Sequence, residues 1–290
     1  MDQKLKPSEL ILNDDGSVYH LHLLPENIAD TIITVGDQDR AKRISKLFST
    51  LEFETTHREF ATYTGIYKSK RITVCSTGIG TDNIDIFLNE LDATVNINLK
   101  ERRIKTAHKS LNIIRIGTSG SVQKDVPVGS FVASEYALGT DNLAYYYGYS
   151  LGAEEKKITE SVRNHFTLPQ GHSKLYVVPS SSRLLATIGN SMSTGMTATA
   201  TGFYAPQGRA LRLKPKDNWV KDLQSFSFNK IKITNLEMET SGLYLLSRLL
   251  GHNCLSCSAI LANRADHTFA EKPKEIIDNL IDMVLEKIDA

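Results

Sequence analysis

Two kinds of residue in this chain have types and spacings suited to chemistry: arginines beside glycine turns, and a pair of carboxylates flanking one apolar residue. Three β-branched apolar runs lead into glycine. They are Thr31-Ile-Ile-Thr-Val35 before Gly36-Asp-Gln-Asp-Arg40, Ile72-Thr-Val-Cys-Ser76 before Thr77-Gly-Ile-Gly80, and Asn112-Ile-Ile-Arg-Ile116 before Gly117-Thr-Ser-Gly120. Short buried strands that end in glycine leave backbone N–H groups uncovered at one sheet edge, where an anion can approach closely. Arg40 and Arg115 accompany two of the three, so an oxyanion site, most simply for phosphate, is expected there.

Glu237-Met238-Glu239 follows a short extended run and precedes a leucine-rich segment. Its plainest reading is a pair of acids favoured at a helix N-terminus by the macrodipole. A carboxylate at such a junction can also accept two hydrogen bonds from vicinal sugar hydroxyls. Phosphate and sugar together suggest a nucleoside or a sugar phosphate. Cys254 and Cys257 form a C-x-x-C, but Cys254-Leu-Ser-Cys-Ser-Ala-Ile-Leu261 has the pattern of a buried strand, not of a zinc or redox site. Three cysteines also argue against a disulfide framework.

The elements that must position these groups are visible in the spacing. Ala41, Ile44, Leu47 and Phe48 share one face of a helix that Asp37 or Asp39 could cap, and Ile84, Phe87, Leu88, Leu91 and Val95 repeat the pattern. Residues 238–250 are expected to be helical with Gly251 as a stop, followed by a strand over 254–261 and an amphipathic helix over 273–288. Residues 130–138 and 191–201 look extended, with lengths that suit a central sheet curling towards a barrel. The cluster Tyr145-Tyr-Tyr-Gly-Tyr149 is expected to pack a hairpin or an oligomer interface.

With 34 basic against 33 acidic residues in 290, nothing global favours a nucleic acid or an acidic membrane as partner. No window approaches about 18 uninterrupted apolar residues, and Met1-Asp-Gln-Lys-Leu-Lys-Pro7 lacks the apolar core of a signal peptide. A soluble cytoplasmic protein is expected.

The order of these pieces resembles the uridine phosphorylase branch of the nucleoside phosphorylase family over nearly the whole chain. The matching segments are Tyr19-His-Leu-His-Leu23, Gly36-Asp-Gln-Asp-Arg40, His57-Arg-Glu-Phe60, Cys75-Ser-Thr-Gly-Ile-Gly80, Arg115-Ile-Gly-Thr-Ser-Gly120, Phe203-Tyr-Ala-Pro-Gln-Gly-Arg209, Glu237-Met-Glu239 and Asn263-Arg264. The resemblance implies one domain over residues 1–290, an α/β fold of three α/β/α layers around a central mixed, partly barrel-like β-sheet. It implies phosphorolysis of uridine to uracil and ribose 1-phosphate in pyrimidine salvage, with deoxyuridine and thymidine as further candidate substrates, by a pentosyltransferase that needs phosphate as co-substrate and no metal or organic cofactor. Gly36, Arg40, Arg115 and Thr118 would hold phosphate, with Arg58 from a neighbouring subunit. Glu237, Met238 and Glu239 would hold ribose, with the neighbour's His20 near the 5′ hydroxyl. Gln207 and Arg209 would read uracil, Phe203 would stack near it, and Arg264 would close that side. Arg115, Arg209 and Glu239 would carry the catalysis. Relatives assemble as dimers or as hexamers of dimers with shared sites, and some hold a monovalent cation near a residue like Glu59.

Pro206 stands where pyrimidine-specific relatives usually have glycine, so the base loop is expected to take a different path. Thr81-Asp-Asn83 replaces a smaller run, and 192–202 is lengthened. Asp266 keeps open a purine nucleoside phosphorylase, in which an aspartate would meet N7 of the base. The same scaffold would also suit a nucleosidase that uses water, or a non-catalytic nucleoside-binding protein.

Overall fold

The computed structural model describes residues 4–167, 174–216 and 219–289. Its strands, in chain order, are β1 (Thr31–Val35), β2 (Thr50–His57), β3 (Phe60–Tyr67), β4 (Lys70–Ser76), the small hairpin β5 (Ile97–Asn98) and β6 (Arg103–Ile104), β7 (Asn112–Ser121), β8 (Phe131–Gly139), β9 (Tyr176–Pro179), β10 (Ser193–Thr199), β11 (Ser227–Phe228), β12 (Ile231–Glu237), β13 (Asn253–Asn263) and β14 (Thr268–Phe269). The helices are α1 (Gln38–Ser45), α2 (Thr81–Asn96), α3 (Leu143–Tyr146), α4 (Ala153–His165), α5 (Ser182–Thr187), α6 (Val220–Ser225), α7 (Thr240–Leu249) and α8 (Pro273–Asp289).

Alternation along the central strands explains the layers. Ile32, Ile113 and Cys254 pack with α2 and α7 on one face of the sheet, while the next residues, Ile33, Ile114 and Leu255, pack with α1 and α8 on the other. Strands covered on both faces need apolar residues at successive positions, which is why these runs are continuous. A third cluster joins α4 and α6 to β8, β9, β10 and β12.

The sheet is mixed and partly closed. β1 runs parallel to β4 and β7, and β7 pairs in parallel with β13 from Asn112 opposite Asn253 to Ser121 opposite Asn263. Beyond β13 come β8, β10 and β12, and β12 returns to pair antiparallel with the end of β7, Leu236 opposite Gly120. Register shifts after Gly195, Met196 and Ile260 supply local bends. The barrel-like three-layer architecture expected from the sequence is therefore present.

Several details differ. Gly117-Thr-Ser-Gly120 is not a turn but the second half of β7, because that stretch still pairs with β13 and then gains β12. Glycine serves there by letting Arg115 fold back along its own strand: a β-carbon on Gly117 would sit 3.0 Å from Arg115 Nε. α1 stops at Ser45, which leaves Leu47 exposed while Phe48 packs inward. α7 begins at Thr240 and not at Met238. The tyrosine cluster forms no hairpin: Tyr145 and Tyr146 belong to the short α3 and are exposed, while Tyr147 packs on the core and donates to Asp85 Oδ1 at 2.5 Å. Among the described residues no helix is long and apolar enough to cross a membrane.

Candidate functional site

A cavity of about 340 Å³ opens where β1, β7, β12 and the start of α7 meet. Gly36 follows β1 and lines it. Asp37 caps α1, its Oδ1 accepting the Arg40 backbone N–H at 2.8 Å and its Oδ2 pairing with Arg40 Nη2 at 2.9 Å. That cap turns Arg40 into the cavity, where Nη1 donates to the Ile116 carbonyl at 3.3 Å. Burial lowers the Arg40 pKa, with Asp37 opposing it and the charge of Arg115 adding to it.

Arg115, on β7, is only 4% exposed. Its Nη2 donates to the Glu239 carboxylate, and its Nε lies 3.6 Å from Glu237 Oε2. Arg40 Nε, Arg115 Nε and Arg115 Nη1 are buried with no hydrogen-bond partner among the described residues. Buried guanidinium donors of this kind are costly unless an acceptor meets them, and an oxyanion fits that need. Thr118 lines the same wall.

The two carboxylates of Glu237-Met-Glu239 have different work. Glu237 ends β12, and its Oε2 accepts from the backbone N–H groups of Glu239 and Thr240, both at 3.0 Å. Its Oε1 accepts from the Thr199 hydroxyl at 2.9 Å. It thus satisfies amides at the start of α7, the helix-terminal use that its sequence position also allowed. Burial first and Glu239 second raise its pKa, while Arg115 and the two amides oppose the rise. Glu239 instead accepts from Gly80 N–H at 3.0 Å through Oε1 and from Arg115 through Oε2. Met238 and Glu239 both line the cavity, so the Thr77-Gly-Ile-Gly80 turn acts on the site by holding Glu239.

The loop over residues 203–209 completes the lining. Gln207 is 2% exposed, and its Oε1 accepts from Arg209 Nη1 at 2.5 Å. Arg209 also donates to the Phe203 carbonyl at 2.6 Å and lies 3.8 Å above the Phe203 ring, so one face of that ring is already covered. Burial, with Arg264 adding to it, pushes the Arg209 guanidinium down to about 10, so it stays cationic at neutral pH. Pro206 occupies the first turn of a 3₁₀ segment over Ala205–Gln207, where its missing N–H costs nothing. Arg264 is not on the cavity wall but donates to the Gly208 carbonyl at 3.2 Å, bracing the loop.

Besides Arg264, two expected residues are not brought to the cavity within one chain. His20 pairs with Glu90 at 2.6 Å, and Arg58 sits at a left-handed turn (φ +54°) whose carbonyl accepts from Gln38. Glu59, next to Arg58, is half-buried, and its carbonyl accepts from Ser76 Oγ at 2.6 Å. Asp266 is exposed and turned to Thr268, accepting its hydroxyl at 2.7 Å. Ile79, Ser119 and Phe269 also line the cavity, and sequence reasoning does not single them out. For Ile79 and Phe269 the only signal is a large apolar side chain in a turn-rich segment.

Away from the cavity, Asp92, His108 and His252 place ligand-type atoms within 4.8 Å of one another. The Leu111 N–H donates to His252 Nδ1 at 3.2 Å, and His252 Nε2 lies 3.2 Å from Asp92 Oδ1 without forming a hydrogen bond.

Residues 30–287 match the family model described as the phosphorylase superfamily. A uridine phosphorylase of Thermococcus kodakarensis is 25% identical over 271 residues, covering 93% of this chain and 86% of the relative. A DeoD-type purine nucleoside phosphorylase of Bacillus cytotoxicus is 28% identical over 278 residues, covering 92% and 97%. Among solved structures, a Trypanosoma brucei nucleoside phosphorylase that shows uridine phosphorylase activity superposes with a TM-score of 0.88 at 28% identity, covering 97% of this chain and 100% of that one.

Proposed function

This chain belongs to the phosphorylase superfamily, and from that premise we propose that it cleaves uridine with inorganic phosphate to uracil and ribose 1-phosphate. The observation that carries this reading is the joint presence of Gln207 and Arg209 in the cavity that also holds Arg40, Arg115 and Glu239. Gln207 and Arg209 complement the carbonyl and N3–H edge of a pyrimidine. Arg40, Arg115, Thr118 and the backbone at Gly36 take phosphate, with Arg58 of a neighbouring subunit; Glu239 and Met238 take the ribose, with the neighbour's His20 at its 5′ end.

As the glycosidic bond breaks, positive charge grows on the ribose and negative charge on the base carbonyls. The bound phosphate stabilises the first and then attacks it, while Arg209 and Gln207 stabilise the second. One preorganised donor of this sort is worth on the order of 10²- to 10³-fold in rate. Glu237 acts here through the backbone, fixing the turn that presents Met238 and Glu239. The atoms balance with nucleoside and phosphate alone, and no electrons are transferred, so the reaction needs no redox cofactor.

A purine nucleoside is the second reading, favoured by the similarity to DeoD-type enzymes. The position of Asp266, exposed and bonded to Thr268, supports uridine over it. Phosphorolysis of uridine, thymidine and inosine, each with and without phosphate, tests the assignment. Inosine as best substrate would sink the uridine choice, and turnover without phosphate would sink the phosphorylase.

A further inference from the structure

We propose that Trp219 is a positioning residue for base recognition and that its indole registers occupancy of the base pocket, an inference that rests on the nucleoside reading above. Trp219 is the single tryptophan of the chain. Its ring packs against the buried Phe166, centroids 6.2 Å apart, and its indole N–H donates to the Pro206 carbonyl at 2.7 Å. Trp219 does not itself line the cavity.

The link to the base runs through one peptide plane. The Pro206 carbonyl and the Gln207 N–H belong to the same rigid peptide unit, so whatever holds one orients the other. Gln207 N–H in turn donates to the Tyr204 carbonyl at 3.0 Å, and Arg209 N–H donates to the same oxygen at 2.8 Å. Below the proline, Gly202 provides the seat: a β-carbon there would lie 2.9 Å from Pro206 Cγ. Pro206 is thus fixed by Gly202 at its ring and by Trp219 at its oxygen, and both base-reading side chains emerge from the turn so held. Among the described residues nothing equivalent ties Trp219 to Gly36, just after β1, to Arg40 on α1 or to Arg115 on β7. Its effect should fall on the base and spare phosphate.

Trp219→Phe keeps an aromatic ring beside Phe166 while removing the N–H together with the pyrrole half of the indole. The expected result is a nucleoside KM raised about 3- to 10-fold, the yield of one net hydrogen bond, with kcat and the phosphate KM nearly unchanged. A variant that leaves the nucleoside KM alone, or raises both KM values equally, overturns the proposal. In the unsubstituted protein, tryptophan emission should change on saturation with the free base and stay constant on saturation with inorganic phosphate; an emission that responds to none of uracil, thymine and hypoxanthine also overturns it. Kinetics use whichever of uridine, thymidine and inosine the parent enzyme cleaves best. An error in the uridine assignment then appears as an inosine preference with the KM split intact, whereas an error in the Trp219 role appears as loss of the split on any substrate.

Discussion

The backbone N–H of Gly80 donates to Glu239 Oε1 at 3.0 Å, so the N-cap residue of α2 holds the carboxylate of the N-cap residue of α7. Two helix N-termini therefore meet over one anionic side chain, an arrangement the helix dipoles favour. Arg115 grips the other oxygen of the same carboxylate.

Gly80 adopts φ +92° and ψ 162°, a region essentially reserved for glycine. Space for a β-carbon exists there, so the cost of Gly80→Ala is conformational and not steric. The variant should lose about 1–3 kcal/mol of stability by denaturant unfolding, and its nucleoside KM should rise more than its phosphate KM because Glu239 loses its anchor. Unchanged stability and unchanged nucleoside KM would show that Gly80 does not hold the carboxylate.

Arg115→Ala should expose the electrostatic strain of Glu237 and Glu239. The Glu237 pKa already lies above its ordinary 4.5, from burial and from Glu239, and Arg115 opposes that rise. Without Arg115 it climbs further. A native carboxyl with a raised pKa keeps a proton that the unfolded chain has released, so stability falls as pH increases above about 4.5 and returns on acidification. Removing one partner of a buried charge cluster typically costs about 3–5 kcal/mol. The deficit relative to the parent protein should be largest near about pH 8 and shrink towards about pH 5 in parallel urea titrations. A deficit that grows on acidification would contradict the sign of the Glu237 shift.

Much of this site is legible in the order of residues alone. β1, β4, β7 and β13 announce themselves because each is covered on both faces, and α2 because Ile84, Phe87, Leu88, Leu91 and Val95 all turn inward. What stays hidden depends on partners distant in the chain. Nothing local shows that Gly117–Gly120 remain in a strand, since β12, which pairs there, comes more than a hundred residues later. Nothing local separates Glu237 from Glu239, since the difference lies in whether Thr240 and Thr199 or Gly80 and Arg115 reach them. Pro206 looks like a disturbance because sequence shows the lost N–H but not the 3₁₀ turn in which that N–H is unneeded.

Arg209→Ala removes the group that holds Gln207 Oε1 and covers the Phe203 ring. Both base contacts should weaken together, lowering kcat/KM for uridine on the order of 10²- to 10³-fold, while the phosphate KM changes little. Steady-state kinetics with each substrate varied in turn decide this. An equal loss on both axes would place Arg209 in general scaffolding.

His20 and Arg58 lie outside the cavity of their own chain, His20 held by Glu90 and the Arg58 turn by Gln38. If each serves a neighbouring subunit, one site needs Arg209 from one chain and Arg58 from another. Arg58→Ala and Arg209→Ala should each be inactive alone, yet a hybrid dimer of the two contains one site with both arginines intact. Equal mixing with free exchange should restore about a quarter of the parental activity, because half of the dimers are hybrids and half of their sites are whole. The measurement is phosphorolysis after mixing, with exchange followed by mass-tagged subunits. Demonstrated exchange without recovered activity would mean that Arg58 works within its own chain or not at all, and the assembly would then owe nothing of its chemistry to the interface.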